Sequence, residues 1–215
     1  WKSDSARVAD MPISDLVSEV MRRASGAQLS ATAAFSLDAS LDTGAISIAA
    51  ISKLYPYENL LRAVKLSGQQ LREYLEHSAR YYRSLDANGR VPAGGLVDPA
   101  IPGFNFDVVT GAEYVIDLSR PPGSRITSLR VDGRAVAPTD SFTMALNSYR
   151  ASGGGGYTML VGTPVVYAKD EDIRQLVIDE VKRVTSMGRA LDPADYARRN
   201  WTLEPSNARD AAFAE

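Results

Sequence analysis

A run of four glycines interrupts the chain directly after an apolar segment, residues 142–146, whose composition predicts a buried strand. The run consists of Gly153, Gly154, Gly155 and Gly156. Glycines have no side chains to pack, but their backbone adopts positive φ and lets another group approach closely. Tyr149 and Arg150 stand just before the run. A flat ring, a cation and exposed N–H groups together suit a ligand with a flat ring and an anionic part.

The composition is that of an ordinary globular domain. The chain has 215 residues, of which 45% are hydrophobic and 23% charged, enough for a sizeable core. The formal charge of −2 gives no basic excess that would favour a nucleic-acid polymer as partner, and no apolar run is long enough to span a bilayer. The absence of cysteine excludes disulfides and thiolate metal sites without fixing the compartment. The first residue is Trp1 and no signal peptide is visible, so we expect a mature or excised fragment.

The order of predicted elements indicates one α+β domain with a mixed β-sheet, flanking helices and two β-hairpins. Residues 1–10 are polar and aperiodic and are predicted to be an N-terminal tether, residues 11–204 form the domain, and residues 205–215 are a polar tail. Trp201, a large apolar group late in the chain, is expected to anchor this end to the body.

Four helix starts are predicted from capping residues, among them Ser47 as the cap of a short helix through Ile48, Ile51 and Leu54. Ser14 is the predicted N-cap of the first helix, and Asp170 that of the last long helix. Ser67 and Gln70 have the spacing of a capping box and predict another helix directly after them.

The strand predictions follow apolar runs and turn residues. Single strands are expected at residues 29–35, 60–66 and 161–167. Hairpins are expected between 104–109 and 114–118, around Thr110-Gly111, and between 126–131 and 134–136, joined by Asp132-Gly133. The Gly- and Pro-rich residues 85–103 are predicted to be a functional or mobile loop.

Residues for catalysis are scarce. The one histidine, His77, stands beside Glu76 outside any HExxH pattern, and we interpret it as a helix-flank residue instead of a metal ligand. There is no GxSxG nucleophile motif, and no Gly-Lys-Ser/Thr follows the glycines. The residues alone therefore predict a binding module without catalytic residues or a metal site of its own.

Two tyrosines are candidates for ring stacking. Tyr57 follows a proline and Tyr149 precedes the glycines, so both lie beside irregular backbone. Rings in such positions can sandwich a flat heterocycle, with about 1–3 kcal/mol per stacked base. The alternative is that both rings pack into the core or lie idle at the surface.

Two neighbouring polar residues also have two interpretations each. The planar fork of Arg150 suits phosphate, but an arginine paired with an acid is the alternative. Asn147 either orients the loop and donates to a base edge or, as an ordinary turn asparagine, satisfies local backbone groups.

Residues 147–157, NSYRASGGGGY, resemble the signature loop of the C-terminal domain of the 5'-nucleotidase family. Three further segments are similar to the same domain, in the same order. These are LYPYEN at 54–59 with LSGQQL at 66–71, GFNFD at 103–107 with Gly111, Tyr114 and Asp117, and Asn200-Trp201. The likeness covers about residues 11–204 and is strongest to the bacterial 2',3'-cyclic-nucleotide 2'-phosphodiesterase/3'-nucleotidases.

The resemblance implies a division of labour between two domains. An N-terminal metallophosphatase domain, outside this fragment, would hold two divalent metal ions and a catalytic His–Asp pair. The C-terminal domain would bind the nucleoside or nucleotide between two rings, which fall on Tyr57 and Tyr149. The fragment would then need no cofactor and hydrolyse nothing by itself, and the parent protein would be periplasmic, secreted or cell-wall associated.

Two departures from the family bear on the substrate. Relatives that cleave 5'-phosphates have an aspartate for the ribose hydroxyls where this chain has Gly155. The absence of this aspartate favours a 2',3'-cyclic or 3'-phosphate substrate. The family's phosphate-binding arginine before the first turn is missing from residues 35–38. A 5'-nucleotidase or nucleotide-sugar hydrolase domain and a stand-alone nucleoside-binding module remain the alternatives.

Overall fold

The computed structural model describes residues 1–86 and 88–212, so the last three residues of the predicted polar tail lie outside the described part. The helices are α1 Pro12–Ser25, α2 Ile48–Leu54, α3 Gly68–Ala79, α4 Ser148–Ala151, α5 Ile173–Ser186, α6 Pro193–Tyr196 and α7 Ser206–Ala212. The strands are β1 Leu29–Ala33, β2 Leu61–Ser67, β3 Asp107–Thr110, β4 Glu113–Asp117, β5 Ile126–Val131, β6 Arg134–Ala135, β7 Ser141–Asn147, β8 Val165–Tyr167 and β9 Trp201–Glu204.

The described strands form two mixed sheets. The larger sheet has the order β3-β1-β7-β2-β8, in which only the β1–β7 pair is parallel. The smaller has the order β6-β5-β4-β9, with β4 and β9 parallel. The α+β class with mixed sheet and flanking helices is confirmed, with two sheets in place of the single one expected.

Both faces of the larger sheet are covered. Along β2, Ala63 belongs to the core on the side of α1, α2 and α5, whereas Val64 belongs to the core shared with α3 and the smaller sheet. This alternation follows from the two-residue period of a strand. Since β7 and β2 are buried on both faces, the ends of these central strands have fixed positions.

The first predicted hairpin is wrong. β3 pairs with β1 in the larger sheet, and β4 pairs with β5 and β9 in the smaller. Gly111 turns the chain from one sheet to the other with φ +92°, where a Cβ would lie 2.7 Å from the Gln28 carbonyl oxygen. Two consecutive antiparallel connections do occur, β4–β5 and β5–β6, and the Asp132-Gly133 turn of the second is confirmed by positive φ at both residues.

The capping box is confirmed. Ser67 Oγ accepts from the Gln70 N–H at 3.2 Å, and Ser67 N–H donates to Gln70 Oε1 at 2.8 Å. These two hydrogen bonds satisfy N–H groups at the start of α3 that have no partner within the helix. The helix therefore begins where the local sequence signal places it.

Two other predicted caps are wrong. Ser14 lies inside α1, which begins earlier because Pro12 occupies the first turn, where its missing N–H costs nothing. Asp172 caps α5 in place of Asp170, and its Oδ1 accepts from the Gln175 N–H at 2.9 Å. An acidic pair two residues apart offers two candidate caps, and the sequence does not distinguish them. The predicted strand 161–167 is shorter than expected. β8 begins at Val165, because the chain turns at Gly162, whose φ is +78°.

A pair of carboxyl groups, the buried Asp15 and the half-buried Asp10, joins the two ends of the chain. Asp15 Oδ1 accepts from Thr110 Oγ at 3.1 Å and its Oδ2 from the Arg198 N–H at 2.9 Å. Asp10 Oδ2 accepts from the Asn200 N–H at 2.6 Å. Burial, and after it the neighbouring Asp10 charge, raises the pKa of Asp15 to about 7. Burial also raises the pKa of Asp10.

The chain ends pack against the body. Ser3 is buried and its Oγ donates to the Ser36 carbonyl at 2.6 Å. Trp201 is buried, as predicted, with its ring 5.8 Å from that of Phe106. No described helix is long and apolar enough to cross a membrane.

Candidate functional site

Four separate segments meet at one edge of the larger sheet. Leu61 at the start of β2 pairs with Asn147 at the end of β7, and Ala33 at the end of β1 pairs with Asp107 at the start of β3. Because β1 and β7 are parallel, all these strand ends lie at the same edge. The chain segments that enter or leave the strands there are brought together although they are far apart in sequence.

A cleft of about 320 Å³ opens between these segments. Its lining is Phe35, Tyr57, Asn59, Phe104, Asn147, Tyr149 and Arg150. The aromatic rings come from four different segments, and the cleft is mostly apolar with a few polar groups. This composition is typical of sites for small organic ligands.

The two predicted stacking residues are both in this cleft. Tyr57 is 45% exposed and Tyr149 is 48% exposed, so neither ring is buried in the core. Phe35 stands edge-on to Tyr57, with ring centroids 5.1 Å apart and planes at 75°. The Arg150 guanidinium carbon lies 5.5 Å from the Tyr149 ring centre. Each ring therefore has a fixed neighbour and an exposed part.

Arg150 is the partner of a buried acid. Its side chain is 2% exposed and donates to both oxygens of Asp107, from Nε at 2.8 Å and from Nη2 at 3.0 Å. The other donors reach the carbonyls of Gly154, at 3.0 Å, and Phe104, at 2.5 Å. Burial lowers the pKa of Arg150, but the Asp107 charge and hydrogen bonds more than offset this, and the pKa is raised. Of the two interpretations of Arg150, phosphate binding and pairing with an acid, the structure shows pairing with an acid.

Asn147 serves as a helix cap. Its Oδ1 accepts from the Arg150 N–H at 2.8 Å, which satisfies a free N–H at the start of α4. The residue is 6% exposed and still contributes to the lining of the cleft. Asn147 thereby fixes the turn from which Tyr149 projects.

The glycines lie behind Tyr149, outside the lining of the cleft. Gly153, Gly155 and Gly156 have φ between +74° and +86°, a backbone region that disfavours other residues. At Gly154 a Cβ would lie 2.5 Å from the Tyr149 ring. The run is therefore required for the turn itself and for the close approach of this tyrosine.

Gly155 has a further packing reason for having no side chain. A Cβ there would lie 2.4 Å from both Arg150 Nη1 and Asn105 Oδ1. Its carbonyl oxygen lies 3.0 Å from His77 Nε2, which donates to it in the tautomer that carries hydrogen on Nε2. Burial lowers the pKa of His77, so the ring is mainly neutral near pH 7. The histidine supports the loop through this contact.

Sequence reasoning missed three residues of the cleft. The sequence predicts Phe35 at the end of a buried strand and Phe104 at the start of a hairpin strand, and it places Asn59 only in a segment that resembles the family. Each follows or precedes a strand end at the same edge of the sheet. The signal that would have found them is their shared position at this edge of the sheet. That position can be recognised only when the strand order is known.

The described residues contain no group of three or more His, Cys, Asp or Glu side chains that could hold a metal ion. The two divalent ions implied by the resemblance thus do not fit any residue set in this part of the chain. The arrangement of the cleft can bind and orient a ligand.

Comparisons with known proteins agree with the fold. Residues 2–162 match the model of the 5'-nucleotidase C-terminal domain. The chain is 30% identical over 182 residues to a Haemophilus influenzae 2',3'-cyclic-nucleotide 2'-phosphodiesterase/3'-nucleotidase, covering 79% of this chain and 27% of the relative. It is 28% identical over 189 residues to the trifunctional nucleotide phosphoesterase protein YfkN of Bacillus subtilis, covering 80% of this chain and 12% of the relative.

A solved structure shares the whole architecture. A Staphylococcus aureus protein described as a 5'-nucleotidase superposes with a TM-score of 0.79 at 27% identity, covering 93% of this chain and 38% of its own. The chain thus spans about a quarter or less of the curated relatives above and under half of this structure. The matching residues, the two-sheet architecture and the family model together show that this chain belongs to the 5'-nucleotidase family as its C-terminal domain.

Proposed function

We propose that this domain binds the nucleoside part of a nucleotide and presents its phosphate to a separate catalytic domain. The observation that carries the proposal is the exposure of Tyr57 and Tyr149 in one cleft of about 320 Å³. That volume is at the lower end of the range for small-molecule sites and suits a single nucleoside. Faces of two rings in one cleft are the arrangement that stacks a flat base.

The charge of the cleft supports recognition of the uncharged part of the ligand. Among the residues that the structure describes, Arg150 is the one cation in the lining, and Asp107 neutralises it. A phosphate placed in the cleft would find no unpaired cation there, so the phosphate is expected to project outward. This is the orientation that lets another domain carry out the hydrolysis.

We infer that the substrates are 2',3'-cyclic nucleotides and 3'-nucleotides. The Haemophilus influenzae relative bears the name of an enzyme with these activities. Gly155 supplies no carboxylate to hold a free ribose diol, and its surroundings leave no room for one. A 5'-nucleotidase domain is the second candidate, favoured by the Staphylococcus aureus structure.

The parent protein is proposed to be a phosphoric ester hydrolase, periplasmic, secreted or cell-wall associated, whose metal ions lie on a metallophosphatase domain in the same chain. The cleft residues are proposed to bind and orient, and the isolated domain is expected to hydrolyse nothing. Support comes from the phosphoesterase names of the relatives.

Calorimetric titration of the purified domain with adenosine, adenosine 3'-phosphate and adenosine 5'-phosphate tests the proposal. We expect adenosine and its 3'-phosphate to bind the wild type and to bind the Tyr149→Ala variant more weakly. Unchanged affinity in the variant would remove Tyr149 from the site. Tighter binding of the 5'-phosphate than of the 3'-phosphate would favour the 5'-nucleotidase alternative, and metal-dependent hydrolysis by the domain alone would contradict the division of labour.

A further inference from the structure

The backbone of the cleft segments is bonded by arginines from outside the cleft. Arg174, in the first turn of α5, donates from Nε to the Tyr55 carbonyl and from Nη2 to the Pro56 carbonyl, both at 2.9 Å. These are the two peptide groups directly before Tyr57. The segment that carries the Tyr57 ring lies outside the strand pairing. Its carbonyls therefore accept hydrogen bonds from a side chain instead of from a neighbouring strand.

A second arginine bridges two other segments of the cleft. Arg7 donates to the Ala34 carbonyl from Nε at 3.1 Å and from Nη2 at 2.8 Å, directly before Phe35. The same guanidinium packs on Gly103, where a Cβ would lie 2.1 Å from its central carbon. Phe104 is the next residue, and its carbonyl accepts from Arg150 Nη2.

Neither Arg7 nor Arg174 is placed to bind the ligand itself. Neither lines the cleft. Among the described residues, no carboxylate lies within ion-pair distance of either guanidinium, and their bonds are to backbone carbonyls. A planar fork with several N–H donors suits this task, because it fixes neighbouring acceptors in one plane.

We propose that Arg7 and Arg174 are positioning residues of the cleft, which hold the backbone before Phe35 and before Tyr57 at the spacing that a base requires. Together with Arg150, they connect the aromatic segments around the cleft. The consequence for ligand binding rests on the proposed nucleoside function, whereas the ordering of the segments does not.

The test measures local order and affinity in parallel. In Arg7→Ala we expect faster backbone amide hydrogen exchange in peptides that cover Phe35 and Phe104. In Arg174→Ala we expect the same for Tyr57. We expect each substitution to raise the Kd for adenosine about five-fold or more, with the calorimetric stoichiometry unchanged, since a few ångströms of ring displacement removes a large share of a stacking contact. Arg174→Lys, which keeps a donor, is expected to lie between wild type and Arg174→Ala.

Arg83 provides a matched control. It is also half-buried and donates to two neighbouring carbonyls, those of Ala93 and Gly94, in a segment that does not line the cleft. Arg83→Ala is expected to leave the adenosine Kd and the exchange at the cleft unchanged. Arg7→Ala and Arg174→Ala variants with wild-type exchange and Kd would overturn the proposal. If the wild type binds neither adenosine nor adenosine 3'-phosphate, the proposed function fails, and the exchange measurement still decides whether these arginines order the cleft.

Discussion

Arg150 and Asp107 form a two-pronged ion pair in the interior, with each side chain 2% exposed and N–O distances of 2.8 and 3.0 Å. The pair joins the turn that carries Tyr149 to the start of β3. Removing one partner leaves an uncompensated buried charge, which typically costs about 3–5 kcal/mol. We therefore expect Asp107→Asn to lower the free energy of unfolding by about this amount, measured by urea denaturation.

An exposed ion pair gives the matched control for that prediction. Asp195 lies 2.6 Å from Arg189, with both side chains largely in solvent. Exposed pairs contribute about 0–1 kcal/mol, so Asp195→Asn should change stability little. Equal effects of the two substitutions would contradict a structural role for the buried pair.

The aromatic cleft predicts a specific loss of affinity. Replacement of Tyr57 or Tyr149 by alanine removes one stacking face, worth about 1–3 kcal/mol, which corresponds to a roughly 5- to 150-fold rise in Kd for adenosine. Calorimetric titration checks this. Tyr167→Ala, at a half-buried tyrosine outside the cleft, is the control and should bind as the wild type does.

Gly155 should tolerate substitution poorly. Gly155→Ala places a side chain on left-handed backbone, which costs about 1–2 kcal/mol of stability. It also overpacks the site against Arg150 and Asn105, which costs about 1–3 kcal/mol. Gly162 has a similar φ of +78°, but a Cβ there meets nothing within 4 Å. Thermal unfolding should therefore show a larger loss for Gly155→Ala than for Gly162→Ala. Equal losses would mean that backbone conformation alone matters at this site.

The pair of carboxyl groups predicts a pH dependence of stability. The folded state raises the pKa of Asp15 from 3.8 to about 7, so between these values it holds a proton that the unfolded chain has lost. The contribution of this group is greatest below about pH 4 and declines as the pH rises through about 7. Asp10→Asn removes the neighbouring charge and keeps an acceptor for the Asn200 N–H.

Urea denaturation at about pH 5 and pH 8 measures this linkage. We expect the wild type to lose more stability than Asp10→Asn between the two conditions. The same loss in both proteins would show that the pair does not titrate as described.

Local signals in the sequence predict local structure well. Ser67 and Gln70 specify the start of α3 because both partners of the capping box lie within one turn. The Asp132-Gly133 turn is specified in the same way, since both residues tolerate positive φ. The stacking candidates Tyr57 and Tyr149 could also be selected from irregular backbone beside an aromatic residue and from the family resemblance.

Features that depend on partners far apart in sequence could not be predicted. Arg150 and Asp107 are 43 positions apart, and only the folded chain shows that this arginine is neutralised in the interior. The strands β3 and β4 flank a short turn as a hairpin would, yet each pairs in a different sheet. Phe35 and Phe104 join the cleft through strand order alone.

The meeting of four segments at one sheet edge has a consequence for how such domains diversify. The four aromatic side chains that face the cleft, those of Phe35, Tyr57, Phe104 and Tyr149, stand just outside a strand, where their replacement leaves every strand pair intact. Loops on a rigid scaffold tolerate change in this way. The same frame can therefore accept linings of different chemistry, and related domains can acquire new ligand preferences through a few substitutions without refolding the body.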